Sequence, residues 1–554
     1  MRHSTDSRVL ILMAALLLTA GWLAGCGVPG PDQPEGTFGL EMGFQPRRHT
    51  AGAVVFFVDG LNARIFEEML DAGELPNIQR HFVDRGLYCP EAVANVPSVT
   101  LANVTSFVTG RYPGHHGVTG INWFDRNQLI WRNYETIAQK NTLDHDYIAP
   151  NIYEQFPNRT TFSLFFQPHR GATKFFENWT SAGPPFFFGM YELVDRISLY
   201  RFGQAMAIAE SRDAYPAVTI CYMLAPDFHA YAEGVSSESY RQAIRHTDKQ
   251  IGRVLADFQR AGLLDGALIV LTSDHGLIDV DRHWPIAPFL SDRLGLRIAP
   301  ERLWEETPFE KRQAHYMQYP AVLYGSGDRY WALCLRKPIW RDGQLAGYEA
   351  WPVRPDASDL ARYPVEGGGV VNLLDELLSA PAVDALAYSA GANRVRVRSR
   401  AGEAEIAQPD GPGGELTYKV LLGEDPLGYA SAADGNAALA EALSGQPHSP
   451  RWWVLHTAAL PAPTAVPQLA AYFRARRAGD IAVFAAEGWD FGNRHSAGHG
   501  GLNRGEMCFP LILAGPGVPH GRLETAQAVD IMPTILHWLG KPIPDALDGQ
   551  PLLP

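Results

Sequence analysis

The chain has 554 residues, 46% of them hydrophobic and 19% charged, with a formal net charge of −13. That composition excludes a disordered chain, and the length implies a large core with an insertion, or two to three domains. So acidic a chain argues against a nucleic-acid duplex as the main partner, since phosphate binding needs a basic face; an anionic substrate would need its countercharge supplied locally, for example by a metal ion.

The N-terminus reads as a targeting segment. Arg2 and Arg8 give a basic start, Val9–Trp22 is apolar but short for a membrane span, and Leu23-Ala24-Gly25-Cys26 follows. This resembles the bacterial lipoprotein signal, which implies a signal peptide over residues 1–25 and a lipid on Cys26. Gly27 after the cysteine implies an extracytoplasmic chain held at the outer membrane, on its periplasmic side. A signal-anchor helix or a plainly cleaved signal is the alternative. Residues 26–50, rich in Pro and Gly as far as Gly36, read as a tether. Cys89, Cys221, Cys334 and Cys508 show no CxxC spacing, so a sulfur-ligated zinc site is not expected, and sequence cannot pair them. Cys221, inside an apolar run, reads as a buried small hydrophobe.

The first apolar run, Ala53–Gly60, ends on Asp59. After it, Val96–Val118 breaks at Pro97-Ser98 and then reads as the start of a helix. Thr100 falls at or just before that helix N-terminus, where free N–H groups and the dipole favour a phosphate. A hydroxyl there becomes a nucleophile if a metal lowers its pKa. Asn103, one turn on, could aim its amide at a developing oxyanion. A helix cap at Thr100 and a surface residue at Asn103 is the plainer alternative.

Three further runs behave alike: Ala217–Asp227 ends on Asp227, Ala267–Gly276 on Asp274-His275, and Ile481–Gly501 enters a glycine-rich loop holding His495 and His499. Continuous apolar runs separated by helical stretches predict an α/β fold with a mainly parallel sheet sandwiched by helices, and ligands bind at the carboxyl ends of such strands. A convergent Asp/His set favours zinc, with Mn²⁺ or Ca²⁺ less favoured.

The segment Thr100–Val118 carries Thr100, Asn103, Val108-Thr109-Gly110, Tyr112-Pro113 and His116-Gly117. It is similar to the nucleophile segment of the nucleotide pyrophosphatase/phosphodiesterase family of the alkaline phosphatase superfamily. Asp59-Gly60, Ser273-Asp274-His275-Gly276, Gly498–Gly517 and the helix-like Val529–Gly540 extend the resemblance, which leaves much of the middle unmatched. It implies an alkaline-phosphatase-like fold and two Zn²⁺: Asp59, Thr100, Asp274 and His275 would hold one, and Asp227, a nearby histidine and His499 the other. Thr100 would attack phosphorus in line to give a phosphothreonine, which water then hydrolyses. His499, rather than His495, keeps the family spacing, and His116 reads as structural.

One departure stands out. The family pattern places histidine four residues after Asp227, where this chain has Tyr231; the nearby imidazole is His229. Read as a loop, this segment lets His229 swing in as the replacement ligand, which is the favoured expectation. Tyr231 as a weak ligand, or a weakened second site, are the alternatives.

The stretch from His275 to His499 is longer than a crossover needs. Arg341–Trp351 and Arg394–Ala407 read as hairpins, the second with a solvated arginine face, and Glu366–Tyr388 as a helix plus a short element. The expected organisation is therefore a catalytic core in two segments, 51–283 and 481–554, separated by an insertion or cap over 284–480. The expected activity is a zinc-dependent phosphodiesterase or pyrophosphatase acting on a small-molecule diester. The absence of Lys or Arg between Arg85 and Arg111 favours a singly charged diester over a monoester. A phosphomonoesterase of the same superfamily and a catalytically silent, lipid-anchored binding protein are the alternatives; the oligomeric state is unread.

Overall fold

Gly52–Val58 (β1) is buried along its whole length, with Ala53, Val55 and Phe57 in one core cluster and Val54, Phe56 and Val58 in another. Such a strand belongs in the middle of a sheet covered on both faces. The structure is a computed structural model that describes residues 52–554, apart from 137–138, 178, 212–214, 301, 410, 412 and 493. The expected signal peptide and tether, with Cys26, lie outside the described residues.

Gly86–Val93 (β2), Thr161–Leu164 (β3), Lys174–Phe176 (β4), Val218–Met223 (β5) and Ala267–Thr272 (β6) follow β1. The helices that matter here are Thr100–Thr109 (α1), Tyr191–Ser211 (α2), Ala225–Glu233 (α3) and Glu238–Arg260 (α4). Ala321–Ser326 (β7), Tyr330–Leu335 (β8), Val383–Ser389 (β9), Arg394–Ser399 (β10), Gly402–Ala407 (β11), Thr417–Gly423 (β12) and Ile481–Ala485 (β13) form a second sheet. Cys508–Ala514 (β14) and Gly521–Arg522 (β15) return to the first, and Ala465–Tyr472 (α5) and Ile531–Trp538 (α6) complete the helical cover.

The first sheet has eight strands in the order β15-β2-β14-β6-β1-β5-β3-β4. Its centre, β6-β1-β5-β3, is parallel throughout, and β14 runs antiparallel to both β2 and β6. Ile244, Ile251, Val254 and Phe258 of α4 cover one face, and Val104 and Phe107 of α1 with Ile531 and Ile535 of α6 cover the other. This is the expected α/β sandwich.

The second sheet, β7-β8-β13-β9-β10-β11-β12, is antiparallel throughout. Here one expectation needs correction. Ile481–Ala485 does not join the parallel sheet; it is a central strand of the second one, between β8 and β9. Its faces divide between two clusters, Ala482 with Phe484 and Ile481 with Val483, so it is as apolar as any central parallel strand. Burial on both faces sets the hydropathy of a strand whatever the direction of its neighbours, so the pattern could not tell the two apart.

Both expected hairpins form. Asp342 and Gly343, both at positive φ, turn the first. In the second, Arg396 pairs with Glu403 at 2.9 Å and Arg398 with Asp375 at 2.6 Å, the solvated face anticipated. Val383–Ser389, expected as a short element, is a full strand. The four described cysteines are buried free thiols. Among the described residues no helix is long and apolar enough to cross a membrane.

Candidate metal centre and nucleophile

Asp59 stands directly after β1, Asp274-His275 two residues after β6, and Asp227 in the first turn of α3, four residues after β5. Because these strands are parallel neighbours, their carboxyl ends deliver the three carboxylates to one place. The φ of Gly60 is +66°, and a Cβ there would meet Asp227 Oδ1 at 2.8 Å, so only glycine lets the turn after Asp59 close onto Asp227.

Candidate ligand atoms of Asp59, Asp274 and His275 lie within 4.8 Å of one another, as do those of Asp227, His275 and His499. All five residues are buried. His275 Nε2 is 3.2 Å from Asp274 Oδ2 and 3.6 Å from Asp59 Oδ1. Burial first, then the Asp274 and Asp227 charges, hold the Asp59 carboxyl well above its usual range. Burial and then Asp274 do the same to Asp227, and burial raises Asp274. Burial pushes the His275 ring down to about 3, and burial followed by the His275 charge takes His499 well below its ordinary value.

The donor set fits a metal. Asp59 Oδ1, Asp227 Oδ1 and Asp274 Oδ2 are buried with no hydrogen-bond partner, which is costly unless a cation meets them. His275 Nδ1 donates to the Gly276 carbonyl at 3.0 Å and His499 Nδ1 to the Ser98 carbonyl at 2.7 Å. Both rings are thereby fixed with Nε2 as the free lone pair, the outer support that metal-binding histidines use. A mixed imidazole and carboxylate set suits zinc.

Thr100 is the first residue of α1, after extended Val99, and its Oγ1 is 3.2 Å from His275 Nε2. It is half-buried where the neighbouring residues are buried, so its hydroxyl reaches the centre while the helix beyond packs into the core. The unpaired N–H groups of this first turn offer positive potential beside the hydroxyl.

Two predicted site residues are not brought here. Asn103 is fully buried; its amide donates to the carbonyls of Pro97 and Val99, both at 3.1 Å, and its Oδ1 accepts from Asn95 N at 2.6 Å. It braces the turn that presents Thr100 and does not aim at an oxyanion. His229 also lies elsewhere: Nδ1 is 2.7 Å from Ser239 Oγ and Nε2 is 2.9 Å from Glu192. The reason is local structure. Tyr222–Gly234 is not a loop but the end of β5 running into α3, capped by Asp195, which accepts from Leu224 N at 2.7 Å and Ala225 N at 3.1 Å. Residues two apart on a helix point in nearly opposite directions, whereas residues four apart share a face. So Tyr231, not His229, accompanies Asp227, and its ring lies 5.6 Å from that of His499 and 4.7 Å from that of His495. His495 is held by Asp328, and His116 is buried against Ser106 at 3.0 Å, structural as expected.

Several supporting groups escaped the sequence. Tyr222 donates its hydroxyl to Asp59 Oδ2. Ser98 Oγ donates to the Gly501 carbonyl at 3.0 Å and accepts from Gly500 N at 3.1 Å. Gly327, at the tip between β7 and β8, accepts from His499 N at 3.0 Å, and a Cβ there would meet His499 Nδ1 at 2.7 Å. Beneath that tip, fully buried Arg329 makes a two-pronged ion pair with Glu506 at 2.8 and 3.1 Å. Of these, only the turn composition around Gly327 left a trace in the sequence, and it does not say where the turn docks.

Residues 53–322 match the family model of the type I phosphodiesterases / nucleotide pyrophosphatases. The resemblance read in the sequence is borne out. All the predicted ligands except His499 fall inside that match. A stretch of 79 residues, 13% of this chain, is 37% identical to the multifunctional alkaline phosphatase superfamily protein PehA of Trinickia caryophylli, and spans 15% of that relative's length. Among solved structures, murine ectonucleotide pyrophosphatase / phosphodiesterase 5, an inactive variant in complex with AMP, is similar in fold. Its TM-score is 0.52 at 13% identity, over 89% of this chain and 96% of that one. Another structure of the murine protein gives 0.50 at 13% identity over the same shares. At that identity the likeness is one of fold.

Proposed function

We propose that the protein is a zinc-dependent phosphodiesterase or nucleotide pyrophosphatase that uses Thr100 as its nucleophile. The observation that carries this reading is the placing of the Thr100 hydroxyl 3.2 Å from His275 Nε2, beside three buried carboxylates with unpaired oxygens. Asp59, Asp274 and His275, with Thr100, and Asp227 with His499 are the residues that would hold metal. Bound zinc would lower the pKa of a coordinated hydroxyl and offset charge on the phosphoryl oxygens.

The chain's own residues do the rest. The first turn of α1 receives the phosphoryl group on its free N–H groups and orients it over Thr100 Oγ1. Attack in line forms the Thr100 O–P bond and breaks the bond to the leaving alcohol, which departs with a proton. Water then cleaves the phosphothreonine. Tyr222 holds Asp59, and Ser98 holds His499, so neither ligand needs to reorganise.

The reading also keeps the enzyme extracytoplasmic, anchored through lipid on Cys26, with residues 284–480 as an insertion beside the site. Its test is hydrolysis of bis-p-nitrophenyl phosphate against p-nitrophenyl phosphate by the zinc-loaded soluble chain from Gly27, which lacks the lipidated Cys26. Faster diester cleavage, lost in Thr100→Ala, is expected. Faster monoester cleavage would move the assignment to a phosphatase, and turnover unchanged in Thr100→Ala would remove the nucleophile.

A further inference from the structure

The two donor triplets at the carboxyl end of the parallel sheet share one residue, His275. Its Nδ1 is committed to the Gly276 carbonyl, leaving Nε2 as its single lone pair, and one lone pair serves one ion. That nitrogen is 3.2 Å from Asp274 Oδ2, 3.6 Å from Asp59 Oδ1 and 3.2 Å from Thr100 Oγ1. With His275 so used, the other triplet is reduced to Asp227 and His499. The next turn of α3 supplies no third strong donor: the residue on the Asp227 face is Tyr231, and His229 is turned away to Ser239 and Glu192. His495, whose ring is beside that of Tyr231, is tied to Asp328.

We infer that the centre is unequal by construction: one metal ion is held tightly by Asp59, Asp274, His275 and Thr100, while Asp227 and His499 form a two-donor position that stays empty until substrate or excess metal completes it. Two protein ligands are fewer than the three that catalytic zinc sites ordinarily use. Tyr231 is the residue that leaves the second position short. This inference rests on the metal-dependent reading of the site; in place of the expectation of two Zn²⁺ it takes up the alternative of a weakened second site.

The test is metal content by elemental analysis. The soluble chain from Gly27 is loaded with zinc and passed over a chelating resin. About one equivalent should remain in the wild type and about two in Tyr231→His. Asp59→Asn should retain less than half an equivalent, and Asp227→Asn should retain the wild-type amount. Tyr231→Phe, close in shape, should also behave like wild type, which separates the loss of a phenol from the gain of an imidazole. Two equivalents retained by the wild type would overturn the inference while leaving the hydrolase reading intact. Loss of the retained ion in Asp227→Asn but not in Asp59→Asn would overturn it equally. One retained equivalent with no diester hydrolysis would leave it standing and count against the proposed activity instead.

Discussion

His499 Nδ1 donates to the main-chain carbonyl of Ser98 at 2.7 Å, so a candidate metal ligand near the C-terminus is fastened to the turn that presents Thr100, the proposed nucleophile, near the N-terminus. The Ser98 hydroxyl adds two bonds, to Gly500 N and the Gly501 carbonyl. Ser98→Ala leaves those buried groups unpaired and should cost about 1–3 kcal/mol. Urea denaturation measures it, and a change under about 0.5 kcal/mol would show that the clasp does not hold the loops together.

Thr100 touches the rest of the site through one bond, to His275. Thr100→Ala should therefore lower kcat on a diester by at least about 10³-fold with little change in stability, whereas Thr100→Ser should keep measurable turnover. Steady-state kinetics alongside a thermal melt separates the two effects.

The ion pair between Arg329 and Glu506 is fully buried. Glu506→Gln leaves the guanidinium without its countercharge and should cost about 3–5 kcal/mol. If chemical denaturation finds less than about 1 kcal/mol, the hairpin tip is held by something else.

Burial pushes His116 down to about 3. Its unfolded pKa is near 6.5, so below that value the unfolded chain takes up a proton that the folded chain refuses. Stability from this residue is complete above the unfolded pKa and falls as pH drops towards the folded one. Between pH 7 and pH 5 the loss should be about 2 kcal/mol, from about 1.4 kcal/mol per pH unit of separation. His116→Asn should flatten that part of the stability profile; an unchanged slope would place the acid sensitivity elsewhere.

Protons and a metal compete for the same carboxylates at Asp59, Asp227 and Asp274, whose folded pKa values are raised in the absence of an ion. Raised carboxyl pKa values favour the metal-free fold at low pH and withdraw that support as pH rises through them. The stabilisation by zinc over a chelator should accordingly grow as pH rises from the ordinary carboxylate range towards neutrality. It should reach about 2.7 kcal/mol when free zinc is a hundred times its Kd. Melting temperatures in the two conditions report this directly.

The strand ends at Asp59 and Asp274-His275 were legible because a buried apolar run rarely stops on a hard ligand unless something there meets its charge. Thr100 was legible from the break at Pro97-Ser98 before a helical stretch. His229 and Asn103 were misplaced for one shared reason: spacing names the residue types but not the direction of a side chain on its helix, and that direction depends on where the helix begins. Had α3 been read as a helix from Ala225, the face shared by Asp227 and Tyr231 would have followed. The Arg329–Glu506 pair and the docking of Gly327 under His499 join residues far apart in the chain, and no local pattern encodes them.

The tip between β7 and β8 has a bearing on how this architecture can change. Gly327 and Arg329 lie within the long segment that runs from Asp274-His275 to His499, yet they carry the backbone on which His499 sits. That segment is not an accessory module to be trimmed or exchanged at its ends. A graft or deletion spanning it would remove the footing of the candidate ligand His499 along with whatever it contributes to the outer surface, so variation there must keep its tip while its periphery drifts.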